Sequence, residues 1–562
     1  MKILHCLLAA GLAFSESVEP FHFVDRTQAF GFDRVTVFGG GDRKAYILET
    51  TGTGAAIFDL DNDGDEDVLI VNGARLDGTR TVGALRHLLY VNDGHGKFAE
   101  AGVAAGLMAS GWGQGVCAGD FDNDGFTDLL ITHYGVNRLL KNAGGKKLED
   151  VTARAKLPIE GVRYGSGCAF LDYDRDGRLD LFVANYVDLD LAKTAPAGKD
   201  PTCVWKEIPV MCGPRGLPQA RNILYHQNAD GTFTDVSAAA GILKPGGRYS
   251  LGVAVADFDD DGWPDIFVAC DMTPSLLFEN RHNGTFEERG VEAGVAYNYD
   301  GRLQAGMGVA VADYDGDGRL DLAKTNFSGD LTSLFHNDDG HFFTDVSPQA
   351  GLGARQLLGW GIAFADFDDD GWPDLITANG HVYPEVERAP IGEHYRQDTL
   401  LFRNLGAAGA AKFADVTRES GPAFTTPRSA RGLATGDLDG DGRPEVVIVS
   451  MNDKPSILAN AAPRESFGNF INLRLEGRGK SNRSAIGALV TVTAGTRHFV
   501  QEVTSGGSFY SQHSFTLHYG LGAEAAADKV EVRWPDGQRE QWTNLAAGRL
   551  HLLMEADSPK AK

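Results

Sequence analysis

The sequence predicts an all-β protein, a seven-bladed β-propeller followed by a small β-sandwich-like domain. Three observations predict it. A nine-residue phrase, Asp-x-Asp-x-Asp-Gly-x-x-Asp, returns seven times, starting at residues 59, 120, 172, 257, 313, 366 and 437, with Glu closing the last copy. Most units are about fifty to sixty residues long and rich in strand-like runs, a period that fits propeller blades. The seventh unit also lacks a final strand, which the other end of the chain supplies.

Each unit reads as four strands. A Gly-rich strand enters the phrase (AGMGVAVADY), an apolar strand leaves it (DIFVAC), a third follows (SLLFEN), and a turn leads to a fourth (GTFTDVS). Short strands separated by Asn, Asp and Gly clusters carry this pattern. The seventh unit passes through VVIVS and PSILAN and stops; Phe23-Val24-Asp25-Arg26-Thr27 reads as its missing strand. Pairing the two ends closes the ring and removes open strand edges. The propeller is expected over residues 18–460. Two insertions break its period, 187–221 in blade three and 380–398 in blade six, and both leave after a second strand, on one face of the ring. After a linker over 461–468, residues 469–556 alternate apolar and polar (FINLRL, ALVTVTAG, VEVRWPDG) as a second all-β domain, with 557–562 as a tail.

The phrase has the chemistry of a Ca²⁺ loop. A hard cation takes many oxygen ligands, and carboxylates at positions 1, 3 and 5 converge when Gly at position 6 permits a sharp turn. Strands rather than helices flank each copy, so these are β-hairpin loops. Positions 1, 3, 5 and 9 are expected to bind, with the backbone carbonyl of position 7. The candidate ligands are Asp59, Asp61, Asp63 and Asp67; Asp120, Asp122, Asp124 and Asp128; Asp172, Asp174, Asp176 and Asp180; Asp257, Asp259, Asp261 and Asp265; Asp313, Asp315, Asp317 and Asp321; Asp366, Asp368, Asp370 and Asp374; and Asp437, Asp439, Asp441 and Glu445. Up to seven Ca²⁺ would offset about half of the formal charge of −25, which itself argues against nucleic acid or anionic membrane as partner.

Residues 1–17 read as a secretory signal peptide: Lys2, an apolar run from Ile3 to Phe14, and small residues near the end. Cys6 lies too early for a lipoprotein site, and no other stretch has the length and apolarity of a membrane span. Export makes Cys203 and Cys212, close together in the first insertion, an expected disulfide. Cys117, Cys168 and Cys270 fall on apolar strand positions and read as small buried residues.

The repeats resemble FG-GAP/VCBS repeats, the calcium-loop blades of integrin α-chain propellers. The tail, with SNRSAIGALVTVTAG, QEVTSGGSFYSQHSFTLHYGLG and VEVRWPDG, resembles the ASPIC/UnbV domain. Together they resemble the cartilage acidic protein family. That likeness implies a secreted, calcium-binding, adhesive or matrix-type propeller, although no Cys-dense EGF-like module is present here.

No HExxH, GxSxG or CxxC pattern occurs. GRGKS at 477–481 lacks the first Gly of a phosphate loop and reads as a hairpin turn, and His133 and His381 are not at metal-ligand spacing. The expected function is therefore non-enzymatic: an extracellular binding or adhesion module for a glycan or protein partner, outside the cell or in the periplasm. A polysaccharide lyase-like enzyme and a scaffold of a surface assembly are the alternatives. The partner face is expected opposite the loops. First-strand starts there offer Trp112, Arg163, Tyr164, Arg248, Tyr249, Arg302, Gln304, Trp360, Arg428 and Arg431; second-strand ends offer Asn72, His133, Asn185, Asp271, Asn326, Asn379 and Asn452. Guanidinium groups hold carboxylate or sulfate and amides read hydroxyls, while the competing expectation is that the amides cap turns and the aromatics pack between blades. Asn283, Asn326 and Asn482 lie in N-x-S/T sequons.

Overall fold

The computed structural model describes residues 21–109, 111–353 and 356–556; the expected signal peptide and the tail 557–562 lie outside them. Seven antiparallel four-stranded meanders follow one another, blade five for example running Gly306–Ala312, Asp321–Asn326, Ser333–Asn337 and Phe343–Asp345. Their first strands neighbour one another in a closed ring, with Ala55–Phe58 of blade one touching the first strands of both blade two and blade seven. Second strands such as Asp265–Cys270 are buried along their whole length. Blades stacked on both faces leave no solvent side, so these strands read as apolar runs without alternation.

The N-terminal strand Phe23–Asp25 pairs antiparallel with Ser456–Asn460 and completes blade seven. It is shorter than the sequence suggests. The Asp25 carboxylate accepts the amide of Thr27 at 2.9 Å, and a one-turn helix, Thr27–Phe30, begins there. Blades two and three also join into one eight-stranded sheet, because Arg163 and Tyr164 pair with Gly135 and Tyr134. The same two blades are covalently linked. Cys117 and Cys168, expected as separate buried thiols, face each other on adjacent first strands and form a disulfide; Cys203–Cys212 forms as expected, and Cys270 is a buried free thiol.

Glycine sets how tightly the ring can close. A Cβ at Gly115, Gly167, Gly252, Gly308, Gly361 or Gly432 would lie 2.9 Å or less from a carbonyl oxygen of the next blade, namely that of Ser166, Leu251, Met307, Trp360, Arg431 or Thr53. Only glycine permits that approach. In blades two to seven the first strand bulges at this point, shifting its register against the second.

A second ring of contacts runs nearer the loops. The last residue of each third strand, Asn or Gln, reaches back to the preceding blade and donates its amide to the carbonyl of loop position 2. Asn142 bonds Leu60 at 2.7 Å, Gln227 bonds Phe121 at 2.7 Å, Asn337 bonds Phe258 at 2.8 Å, and Asn92 bonds Leu438 at 3.0 Å across the closure.

The tail domain is a two-sheet sandwich. One sheet holds Asn469–Glu476 between Leu517–Gly522 and Leu550–Met554; the other runs Arg497–Glu502, Leu489–Ala494, Ala526–Arg533, Arg539–Ala546. Its core (Ile471, Leu473, Val490, Val530, Trp534) is continuous with that of blades two and three. The two domains are one packed body.

Candidate cation-binding loops

The seven loops fold alike, hydrogen bond by hydrogen bond. Gly at position 6 is left-handed in every copy, with φ from +84° at Gly177 to +96° at Gly64. Position 4 is left-handed as well (Asn62, Asn123, Arg175, Asp260, Gly316, Asp369, Gly440), a requirement the varied residues there conceal. One carboxylate oxygen of position 1 accepts the Gly amide, as in Asp120 from Gly125 at 2.7 Å and Asp366 from Gly371 at 2.7 Å. One oxygen of position 5 accepts the amide of position 7, as in Asp261 from Trp263 at 2.8 Å. In blade one the other oxygens face one another across the turn, so that ligand atoms of Asp59, Asp61 and Asp63 all lie within 4.8 Å. In the other blades a basic side chain, Lys141, Arg178, His282, Arg319, Arg403 or Arg443, pairs with the second oxygen of position 5.

Position 9 sits deeper. Asp128 accepts Phe121 N at 3.0 Å with one oxygen and Asn142 N at 2.7 Å with the other, tying loop, second strand and third strand together; Asp67, Asp265, Asp321 and Asp374 do the same. Each carboxylate oxygen has two lone pairs, so one per oxygen remains for a cation. The buried oxygens Asp59 Oδ1, Asp313 Oδ1 and Asp368 Oδ1 have no hydrogen-bond partner, while Asp368 Oδ2 is ion-paired with Arg403 at 2.7 Å. Burial pushes Asp67 up to about 8, Asp128 to about 9 and Asp313 to about 8, and the charges of neighbouring loop acids push the same way. Buried, crowded, unpartnered oxygen donors are what a hard divalent cation neutralises.

The tail domain docks on this loop face. Arg533 pairs with Asp257 and, at 2.6 Å, with Asp260; Arg474 lies 3.4 Å from Asp59; His518 Nε2 is 2.9 Å from Asp369; and Arg483 N donates to Asn123 at 2.7 Å. At blade five a cavity of about 490 Å³, lined by Asp313, Phe364, Arg497, Phe499 and His518, separates loop and tail.

From that domain the segment 504–514 enters the central channel, which the sequence reading did not anticipate. Its backbone bonds the inner strands of several blades: Val116 N donates to Tyr510 O at 3.0 Å, Val309 N to Ser508 O at 2.9 Å, and Gln512 N to Ala55 O at 2.8 Å. Phe509 and Tyr510 stack 3.9 Å apart, fully buried, with Phe509 also 4.8 Å from the Trp360 ring. The run of small and hydroxyl residues around one aromatic pair, SGGSFYSQHS, is its signal: slim enough for the channel, with Ser505, Ser508, Ser511 and Gln512 to satisfy inner-strand amides.

Beyond the plug the channel mouth is roofed. Residues 33–53, 187–221 and 380–398 meet over it in one apolar cluster with Phe38, Leu48, Val210, Tyr383 and Phe509. This roof takes most of the residues expected on the partner face. Trp112, Trp360, Arg431, His133, Asn185, Asn326 and Asn379 are buried. Trp112 packs on Phe38, and Arg431 lies 4.2 Å over Trp360 while donating to the carbonyls of Thr50, Gly380, Ala430 and His381. Asn72 and Asn452 hold residues 37 and 38, Asn185 bonds Arg221 O, Asn326 bonds Leu331 O and Asn379 bonds Asp398 O. These amides fasten turns. Asp271 is buried against the Tyr186 hydroxyl, Tyr164 bonds Thr51, Tyr249 bonds Leu217 O, Gln304 accepts Lys324, and Arg428 bonds Ala423 O. Arg163 and Arg302 are exposed and Arg248 is half-buried. His381 is buried 3.1 Å from Glu393, which also accepts Trp205 Nε1 and Lys206 Nζ, so this carboxylate latches the two insertions together.

The FG-GAP-like repeat model matches residues 59–131, 120–183, 216–268 and 257–323, and the ASPIC and UnbV model matches 477–560. Human Cartilage acidic protein 1 is 26% identical over 463 residues, covering 79% of this chain and 63% of that protein, so the chain spans somewhat less than two thirds of the human relative. The Xenopus tropicalis protein of the same name is 26% identical over 534 residues, covering 90% of this chain and 73% of its own. Among solved structures, rhamnogalacturonan lyase YesW is similar at a TM-score of 0.37 and 12% identity, over 79% of this chain and 76% of that one, a level that bears on neither substrate nor activity. FG-GAP-like blades closed by an ASPIC and UnbV domain, over the span on which the chain is similar to the cartilage acidic proteins, place it among proteins of that architecture.

Proposed function

We propose that the protein is an exported, calcium-stabilised binding module that holds a rigid propeller–sandwich body for an extracellular glycan or protein partner. The observation that carries this reading is one hairpin design that gathers acidic side chains in every blade, with buried oxygens of Asp59 and Asp313 left without partners. Ca²⁺ would neutralise them through positions 1, 3 and 5, with position 9 below. Two disulfides fit an oxidising compartment, and no helix among the described residues is long and apolar enough to cross a membrane. The exposed guanidinium groups of Arg163 and Arg302 support a partner with carboxylate or sulfate groups on the roofed face.

Thermal unfolding in EDTA and in millimolar Ca²⁺ tests the cation. The melting temperature is expected to fall by several degrees or more without Ca²⁺, and Asp261→Ala to lose part of the Ca²⁺ response; equal curves in both buffers would refute it. Binding to a glycan and matrix-protein array tests the partner. Arg163→Ala with Arg302→Ala is expected to lose the signal while keeping Ca²⁺-dependent stability.

A further inference from the structure

One strand position decides what faces each loop. The residue before the terminal Asn or Gln of the third strand is Val91, Lys141, His226, Glu279, His336, Arg403 and Ala459 in blades one to seven. Long side chains there reach positions 3 and 5 of their own loop. Lys141 Nζ pairs with Asp122 and lies 2.8 Å from Asp124, and Arg403 Nη2 lies 2.7 Å from Asp368 and 3.4 Å from Asp370. A side chain in this place therefore sits where a bound cation meets its ligands.

In blades three and five it is an imidazole. His336 Nδ1 lies 3.3 Å from Asp315 Oδ2 and 3.4 Å from Asp321 Oδ1; His226 Nδ1 lies 3.4 Å from Asp174 Oδ2 and 3.1 Å from Asp180 Oδ1. Neither Nδ1 makes a hydrogen bond of proper geometry. Each histidine lies in a candidate metal group with positions 3 and 5 of its loop, Asp315 and Asp317 or Asp174 and Asp176. A metal there would displace the Arg319 or Arg178 guanidinium that now pairs with the position 5 acid. In blade five a second donor points to a ligand independently: Asp313 Oδ1, on a residue only 7% exposed, has no partner. Two atoms bound at about 2.1 Å to a tetrahedral ion are about 3.4 Å apart, which is the spacing found. The far nitrogen of His336 is 3.7 Å from Asp338, an acid able to hold its N–H when Nδ1 binds a metal. Of the proposed donors, Asp313 lines the cavity beneath the tail domain.

We propose that the loops of blades three and five are mixed nitrogen–oxygen sites that take a first-row transition metal ion in preference to Ca²⁺. Imidazole favours zinc, cobalt and copper, whereas all-carboxylate loops favour Ca²⁺. The inference rests on the reading of the loops as cation sites but assigns these two a different ion.

The test uses the full chain in millimolar Ca²⁺, given Zn²⁺ and then desalted, with bound metals counted by mass spectrometry. About two zinc ions per chain are expected to stay. His336→Gln and His226→Gln are each expected to lose about one, with the melting temperature in Ca²⁺ monitored to confirm folding. Because a variant can misfold, wild-type protein loaded with Cu²⁺ gives a second readout: electron paramagnetic resonance is expected to show coupling to one imidazole nitrogen per site. No retained zinc, or retention unchanged in the double variant, would overturn the proposal and leave the histidines as tethered cations like Lys141. Zinc retained by a protein indifferent to Ca²⁺ would keep this inference and refute the calcium reading.

Discussion

At the residue scale, the ring is limited by the absence of side chains as much as by their packing. A methyl group at Gly252 would meet the Met307 carbonyl oxygen at 2.2 Å, and backbone on both sides cannot give way cheaply. Gly252→Ala is expected to lower stability by at least about 1–3 kcal/mol, read as a shift of the urea midpoint. Gly213→Ala, whose added carbon meets nothing within 4 Å, is expected to change it by less than about 0.5 kcal/mol. Lys44 gives a second residue-level expectation. Buried in the roof, its ammonium donates to the carbonyls of Phe38 and Gly40, and burial, with Arg431 nearby, pulls its pKa down to about 7. The unfolded chain then binds more protons than the folded one between about pH 7 and about pH 10, so the Lys44 contribution makes stability rise with pH there, by up to about 1.4 kcal/mol per unit. Lys44→Met is expected to flatten that slope in denaturant titrations across the window; an unchanged slope would assign it to other groups. The loop acids were legible because one spacing recurs seven times. Lys44 was not, since a lone Lys in a Gly-rich stretch carries no sign that later segments will cover it.

At the element scale, the strands and the N-terminal closure could be read from periodicity and from a count of strands per unit. The plug could not. Its backbone satisfies the inner strands of blades far apart in sequence, a relation no local pattern encodes. Nor could the fate of the expected partner face, because starts of first strands and ends of second strands look the same whether open to water or roofed by residues 33–53 and the two insertions. Phe509→Ala removes a fully buried ring stacked on Tyr510 and set against Trp360, and is expected to cost about 3–5 kcal/mol. The effect should be seen in the propeller as well as the tail domain, because the plug is a segment of the tail domain whose rings pack in the propeller and roof cluster. Loss confined to the tail domain, by domain-resolved hydrogen exchange, would show that the propeller stands without it.

At the scale of the whole molecule, the two family segments behave as one object. Loop-face ion pairs, a shared apolar core and a segment seated in the channel join them. A protease site placed in the linker, residues 461–468, should therefore yield two fragments that stay together through gel filtration, with a single melting transition; separation on cleavage would show that the linker alone holds them. The channel segment also imposes a schedule on the making of the protein. Strand Phe23–Asp25 emerges from the ribosome first yet has no partner until Ser456–Asn460 is made, and the segment that fills the axis comes later still. Through most of its synthesis the chain is an open arc with bare edges at both ends. Blades two and three can pair early through Gly135 and Arg163 and be stitched by Cys117–Cys168, which gives the growing arc a fixed point from which the remaining blades are added. A ribosome stalled before residue 456 would display a ring that cannot shut.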